Sequence, residues 1–97
     1  MLYDGAIKAL GQAISAINDG NIPARGRQIG KATDIIIELN SVLDMDAGGE
    51  IASHLRSLYE FMITHLTEAN LQNDPEMIGQ VVRLLEDINQ SWKSIAN

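Results

Sequence analysis

His54 and His65 are the side chains best suited to chemistry in this sequence. His54 follows Glu50 by four residues, so on a helix the imidazole and the carboxylate share one face. Such a pair could contribute to a metal site. A di-metal helical bundle, however, uses Glu-x-x-His pairs three residues apart together with further inward glutamates, and the sequence lacks that pattern. An exposed histidine on a bundle could instead relay phosphate, with His54 as the acceptor. Against that, Arg56 lies two residues on and faces elsewhere, and no glycine follows His54 on the same helix. Both histidines read as surface or rim residues.

Other chemistries lack their residues. With no cysteine there is no thiolate nucleophile, disulfide framework or zinc-thiolate site. No G-x-S-x-G, phosphate-binding loop or H-E-x-x-H occurs. The expectation is a protein that binds another protein, with no enzymatic activity, cofactor or metal. The alternatives are the His54 phosphotransfer bundle and a structural bundle that dimerises.

The chain has 97 residues, of which 45% are apolar but only 4% aromatic. That length suits one domain, spanning 1–97, with an aliphatic core. An Ala-, Ile- and Leu-rich core favours helix packing over a β-sandwich. Thirteen acidic against seven basic residues leave a net charge of −6. A nucleic-acid partner needs a basic face, and anionic membranes repel acidic proteins, so neither is an expected partner. Arg25, Arg27 and Lys31 form the one basic cluster, at a spacing that suits a solvated helix face. Asp4 and the absence of basic residues before it give no secretory signal at the start, and the longest aliphatic run is Ile35-Ile36-Ile37. The expected location is the cytoplasm.

Apolar spacing in steps of three and four predicts four helices. The first runs from about Leu2 to Ile17 on Tyr3, Ala6, Ile7, Leu10, Ala13, Ile14 and Ile17, and stops at Asn18-Asp19-Gly20-Asn21. The second starts at the cap Asn21 with Pro23 in its first turn. Ile22, Ile29, Ile36 and Leu43 form its stripe, filled by Ala32 and Leu39 and widened by Ile35 and Val42, and it ends near Asp44. Met45 to Gly49 are expected to form a loop. The third helix covers about Gly49 to Leu71, with Ile51, Leu55, Leu58, Tyr59, Met62, Leu66 and Ala69 facing inward. The fourth opens at Asp74-Pro75-Glu76 and buries Ile78, Val81, Leu85, Ile88, Trp92 and Ile95. Short connections make consecutive helices antiparallel, giving an all-α, up-down-up-down four-helix bundle.

The succession of residues resembles a known family. Leu2-Tyr3-Asp4-Gly5-Ala6-Ile7 opens the chain, and Lys31-Ala32, Ile35-Ile36 and Leu39 follow. Leu43-Asp44 then leads into Gly48-Gly49-Glu50-Ile51-Ala52, followed by Leu58-Tyr59, Ala69-Asn70, Leu84-Leu85 and Trp92. This pattern is similar to the flagellin-specific export chaperones of the FliS family, along essentially the whole chain. Members usually extend further before the Leu-Tyr-Asp-Gly motif, so the chain reads as N-terminally short. The resemblance implies a cytoplasmic helical bundle, without catalytic residues or cofactor, that binds the C-terminal segment of flagellin. It would hold flagellin unpolymerised and export-competent until delivery to the export apparatus.

Such binding requires an apolar groove left over after the core is filled. Ile37, Ile63, Leu71, Met77 and Leu84 lie off the main stripes. Met62 and Met77 are flexible side chains suited to adaptable surfaces. Tyr3 belongs to the opening motif. The candidate flagellin-binding groove is therefore Tyr3, Ile7, Ile37, Tyr59, Met62, Ile63, Leu71, Met77 and Leu84. Trp92 is expected to anchor the core, and the chain to be a monomer or weak homodimer.

Overall fold

The computed structural model describes residues 2–96, with side chains through residue 94. Met1 and the side chain of Ile95, expected on the last stripe, lie outside the described residues. The described residues form four helices: α1 (Leu2–Asn18), α2 (Ile22–Ser41), α3 (Met45–Gln72) and α4 (Pro75–Ala96). They form an antiparallel four-helix bundle. α1 packs on α2 and α4, and α3 packs on the same two helices from the other side. α1 and α3 therefore sit on one diagonal of the bundle, and α2 and α4 on the other.

Local sequence sets each helix start. The Asn21 side chain accepts from the Ala24 N–H at 3.2 Å, with Pro23 in the first turn of α2. The Asp74 carboxylate accepts from the N–H groups of Glu76 (2.9 Å) and Met77 (3.4 Å) at the head of α4. Such caps contribute about 1 kcal/mol each.

The α2–α3 junction differs from the sequence expectation. α2 ends at Ser41, short of Asp44, because Asp44 is the cap of the next helix. Its carboxylate accepts from the Ala47 N–H at 2.9 Å and makes Met45 onward a helical turn instead of a loop. That turn meets the body of α3 at a kink. Gly49 takes φ 54°, ψ −129°, outside the range open to side-chain-bearing residues. The kink folds Gly48 so closely over Ala52 that a Cβ on Gly48 would stand 2.6 Å from that of Ala52. The two glycines thus have separate roles, one in backbone conformation and one in close approach.

The core holds Ala6, Ala9, Leu10 and Ala13 of α1; Ile29, Ala32, Ile36 and Leu39 of α2; Leu55, Tyr59, Met62, Leu66 and Ala69 of α3; and Ile78, Val81 and Leu85 of α4. The row of alanines lets α1 approach its neighbours closely, while Ile and Leu from the other helices supply volume.

The stripes fray at their ends. Ile22, Val42 and Ile51 were expected to face inward but are exposed, each lying within one or two residues of a helix end, or of the Gly49 kink, where the chain leaves the bundle. Trp92, expected to anchor the core, is 44% exposed because core burial on α4 ends at Leu85 among the described residues. No described helix is long and apolar enough to cross a membrane.

Candidate functional site: an apolar groove between α3 and α4

Where α4 runs on past Leu85, its apolar face does not close against α3. The space between them is a groove of about 630 Å³. Ile51, Leu55 and Leu58 form the α3 wall, and Leu84, Ile88 and Trp92 the α4 wall. Glu50, His54, Asp87 and Ser91 supply the polar atoms of its lining. Ile51 is 68% exposed and Trp92 44%, whereas Leu58, Leu84 and Ile88 are half-buried. Exposed apolar surface rimmed by polar groups makes this groove the candidate interaction site.

Helix periodicity explains the groove. α3 carries two apolar rows in parallel. Leu55, Tyr59, Met62, Leu66 and Ala69 enter the core. Ile51, His54, Leu58, Phe61 and His65 follow a second row with the same three- and four-residue steps. Farther along that row the Phe61 and His65 rings stack with centroids 4.9 Å apart. His65 Nε2 lies 2.6 Å from Gln80 Oε1, a hydrogen bond that joins α3 to α4 beyond Leu58 and Leu84.

The other end of the groove is tied to the first turn of α1. Trp92 Nε1–H donates to Tyr3 Oη at 3.3 Å, and Asn89 Nδ2–H donates to Asp4 Oδ1 at 3.3 Å. Tyr3 Oη also hydrogen-bonds Tyr59 Oη across the α1–α3 diagonal. Burial pushes the Tyr59 phenol above the ordinary tyrosine value, and the hydrogen bond to Tyr3 adds to the shift. The Tyr59 phenol therefore stays neutral at physiological pH.

The candidate residues from the sequence are scattered by the fold. Leu84 lines the groove. Tyr59 and Met62 are in the core, 2% and 0% exposed. Tyr3, Ile7, Ile63 and Met77 are half-buried and pack against the core from its edges. Ile37 is exposed on α2, and Leu71 is exposed at the far end of α3. Leu55 is buried in the core as its stripe predicts and also lines the groove, whereas Ile51, Leu58, Ile88 and Trp92, assigned to core stripes from the sequence, are groove walls that the sequence reading missed. The second row on α3 was the available signal, obscured by the two histidines that interrupt it.

His54, the candidate phosphate acceptor, is exposed beside Glu50 in the groove. Among the described residues, no group of three or more His, Asp or Glu side chains is placed to hold a metal ion.

Comparison with known proteins places this geometry in a family. The family described as flagellar protein FliS matches residues 1–97. The flagellar secretion chaperone FliS of Vibrio cholerae is 46% identical over 95 residues, covering 98% of this chain and 70% of the relative. The flagellar secretion chaperone FliS of Salmonella typhimurium is 43% identical over 97 residues, covering 99% and 72%. The flagellar secretion chaperone FliSB of Pseudomonas aeruginosa is 40% identical over 97 residues, covering 100% and 77%. A match along the whole chain, together with the four-helix bundle that carries it, shows that this chain belongs to the FliS family of flagellar proteins.

Proposed function

We propose that the chain is a cytoplasmic flagellar secretion chaperone that binds the C-terminal helical segment of flagellin in the α3–α4 groove. Bound there, the segment is kept from polymerising and remains competent for export, with handover at the export apparatus. The observation that carries this reading is the groove itself, about 630 Å³ between aliphatic walls, in a chain whose relatives are named flagellar secretion chaperones.

Physical reasoning supports the assignment. Terminal helices of a filament subunit bury apolar faces when the filament forms, so a chaperone that covers those faces competes with assembly. An amphipathic helix laid between α3 and α4 would place side chains at three- and four-residue intervals against Ile51, Leu58, Leu84 and Ile88. Trp92 offers a large, rigid contact at the mouth, the residue type most often dominant in binding energy. A net charge of −6 keeps a protein with this open apolar surface in solution.

Calorimetric titration with a peptide spanning the C-terminal helical segment of flagellin from the same bacterium tests the reading. Saturable binding at micromolar or lower Kd, ~8 kcal/mol or more, is expected. Absence of heat and of any Trp92 fluorescence change at high peptide concentration would refute it.

A further inference from the structure

We propose that Tyr3 is a positioning residue for the groove: its hydroxyl holds the Trp92 indole as the end wall of the α3–α4 site. The inference rests on the groove being the binding site and adds a residue that does not line it.

The atoms form a relay. Trp92 is 44% exposed and lies on α4 beyond Leu85, the last fully buried side chain among the described residues of that helix, so core packing alone does not fix its ring. The indole N–H is a donor with no acceptor capacity, and Tyr3 Oη receives it at 3.3 Å. Tyr3 is anchored in turn, because its hydroxyl also bonds that of Tyr59, which is 2% exposed. The fixed point of the relay is therefore a buried phenol on α3, the helix that supplies the opposite wall of the groove. Tyr3 belongs to α1, which contributes no side chain to the groove lining. A second bond, Asn89 to Asp4 at 3.3 Å, ties the same turn of α1 to α4 one helical turn before Trp92. The first turn of α1 thus sets where α4 presents its tryptophan, with the Tyr3 hydroxyl, outside the groove, holding the indole itself.

Replacing Tyr3 by Phe keeps the ring and removes only that oxygen. Trp92 is the single tryptophan, so its fluorescence reports on the wall directly in the free protein. In Tyr3→Phe the indole should become more mobile, with lower anisotropy and stronger acrylamide quenching, while helical circular dichroism is unchanged. Affinity for the flagellin C-terminal peptide should fall about 3- to 10-fold, a loss of roughly 0.7–1.4 kcal/mol. Tyr59→Phe tests the anchor of the relay. It removes the buried hydroxyl but leaves the acceptor of Trp92 in place, so it should lower thermal stability and raise Trp92 quenching part of the way towards Tyr3→Phe. Wild-type anisotropy and quenching in Tyr3→Phe would overturn the proposal, as would a mobile indole with unaltered peptide affinity. If wild-type protein fails to bind the peptide, the flagellin reading falls, while the fluorescence arm still decides whether Tyr3 holds Trp92.

Discussion

Gly48 and Ala52 touch at the kink in α3, where a Cβ on Gly48 would come within 2.6 Å of the Ala52 Cβ. Ala52 is 3% exposed and cannot swing aside. Gly48→Ala is therefore expected to destabilise the protein by about 1–3 kcal/mol, the usual range for forced overpacking. Gly11→Ala gives the opposite sign: Gly11 lies inside α1 with nothing within 4 Å of an added methyl. It should stabilise by about 0.5–1 kcal/mol through helix propensity. Urea unfolding of both variants checks the pair.

Arg25 clamps the opposite end of the bundle. Its Nε–H donates to Asn70 Oδ1 at 2.8 Å and its Nη1–H to Asn73 Oδ1 at 2.6 Å, fixing the start of α2 to the end of α3. Asn73 ends α3 in the left-handed conformation, φ 54°. Arg25→Ala should reduce stability by about 1–2 kcal/mol. Arg25→Lys should recover only part of it, since an ammonium cannot reproduce the fork. Thermal melts distinguish the two.

Tyr59 gives the fold a limit at alkaline pH. Its phenol is held above the unfolded value of 10.0 by burial and by Tyr3. The folded state therefore keeps its proton after the unfolded chain has released it. The stability contributed by the neutral phenol is complete below about pH 10 and falls above it by up to about 1.4 kcal/mol per pH unit. Tyr59→Phe should be less stable near neutral pH but lack this part of the alkaline loss, as denaturant midpoints from pH 7 to 11 would show.

Ile51 separates binding from folding. At 68% exposure it contributes little to the core, so Ile51→Glu should change stability by less than about 0.5 kcal/mol. A carboxylate in the groove wall, beside Glu50, should weaken peptide binding at least tenfold. Titration of this variant next to its unfolding curve tests the claim.

Much of the fold was legible in the residues. Asn21, Pro23, Asp74 and Pro75 marked two helix starts, and the steps of three and four marked the inward faces. Asp44 was misread because a cap residue close behind one helix resembles its last turn, and the Gly48-Gly49 pair suggested a loop where a kinked helix exists. The groove was harder to see. Periodicity shows that a residue lies on an apolar face, but not whether a neighbouring helix reaches it. Ile51, Leu58 and Trp92 have core spacing and remain open because α4 and α3 stop closing together after Leu85. Tyr59 and Met62 were read both on the inward stripe of α3 and in the candidate groove, and their burial agrees with the inward stripe.

Amide chemical-shift mapping of the isotopically labelled protein, titrated with the flagellin C-terminal peptide, tests the central claim most directly. The largest shifts should fall on Glu50 to Leu58 of α3 and Leu84 to Trp92 of α4, with the Trp92 indole N–H among the most affected. Shifts centred instead on the exposed apolar residues Ile37 of α2 and Val42 just after it, or no shifts at saturating peptide, would contradict the groove as the flagellin site.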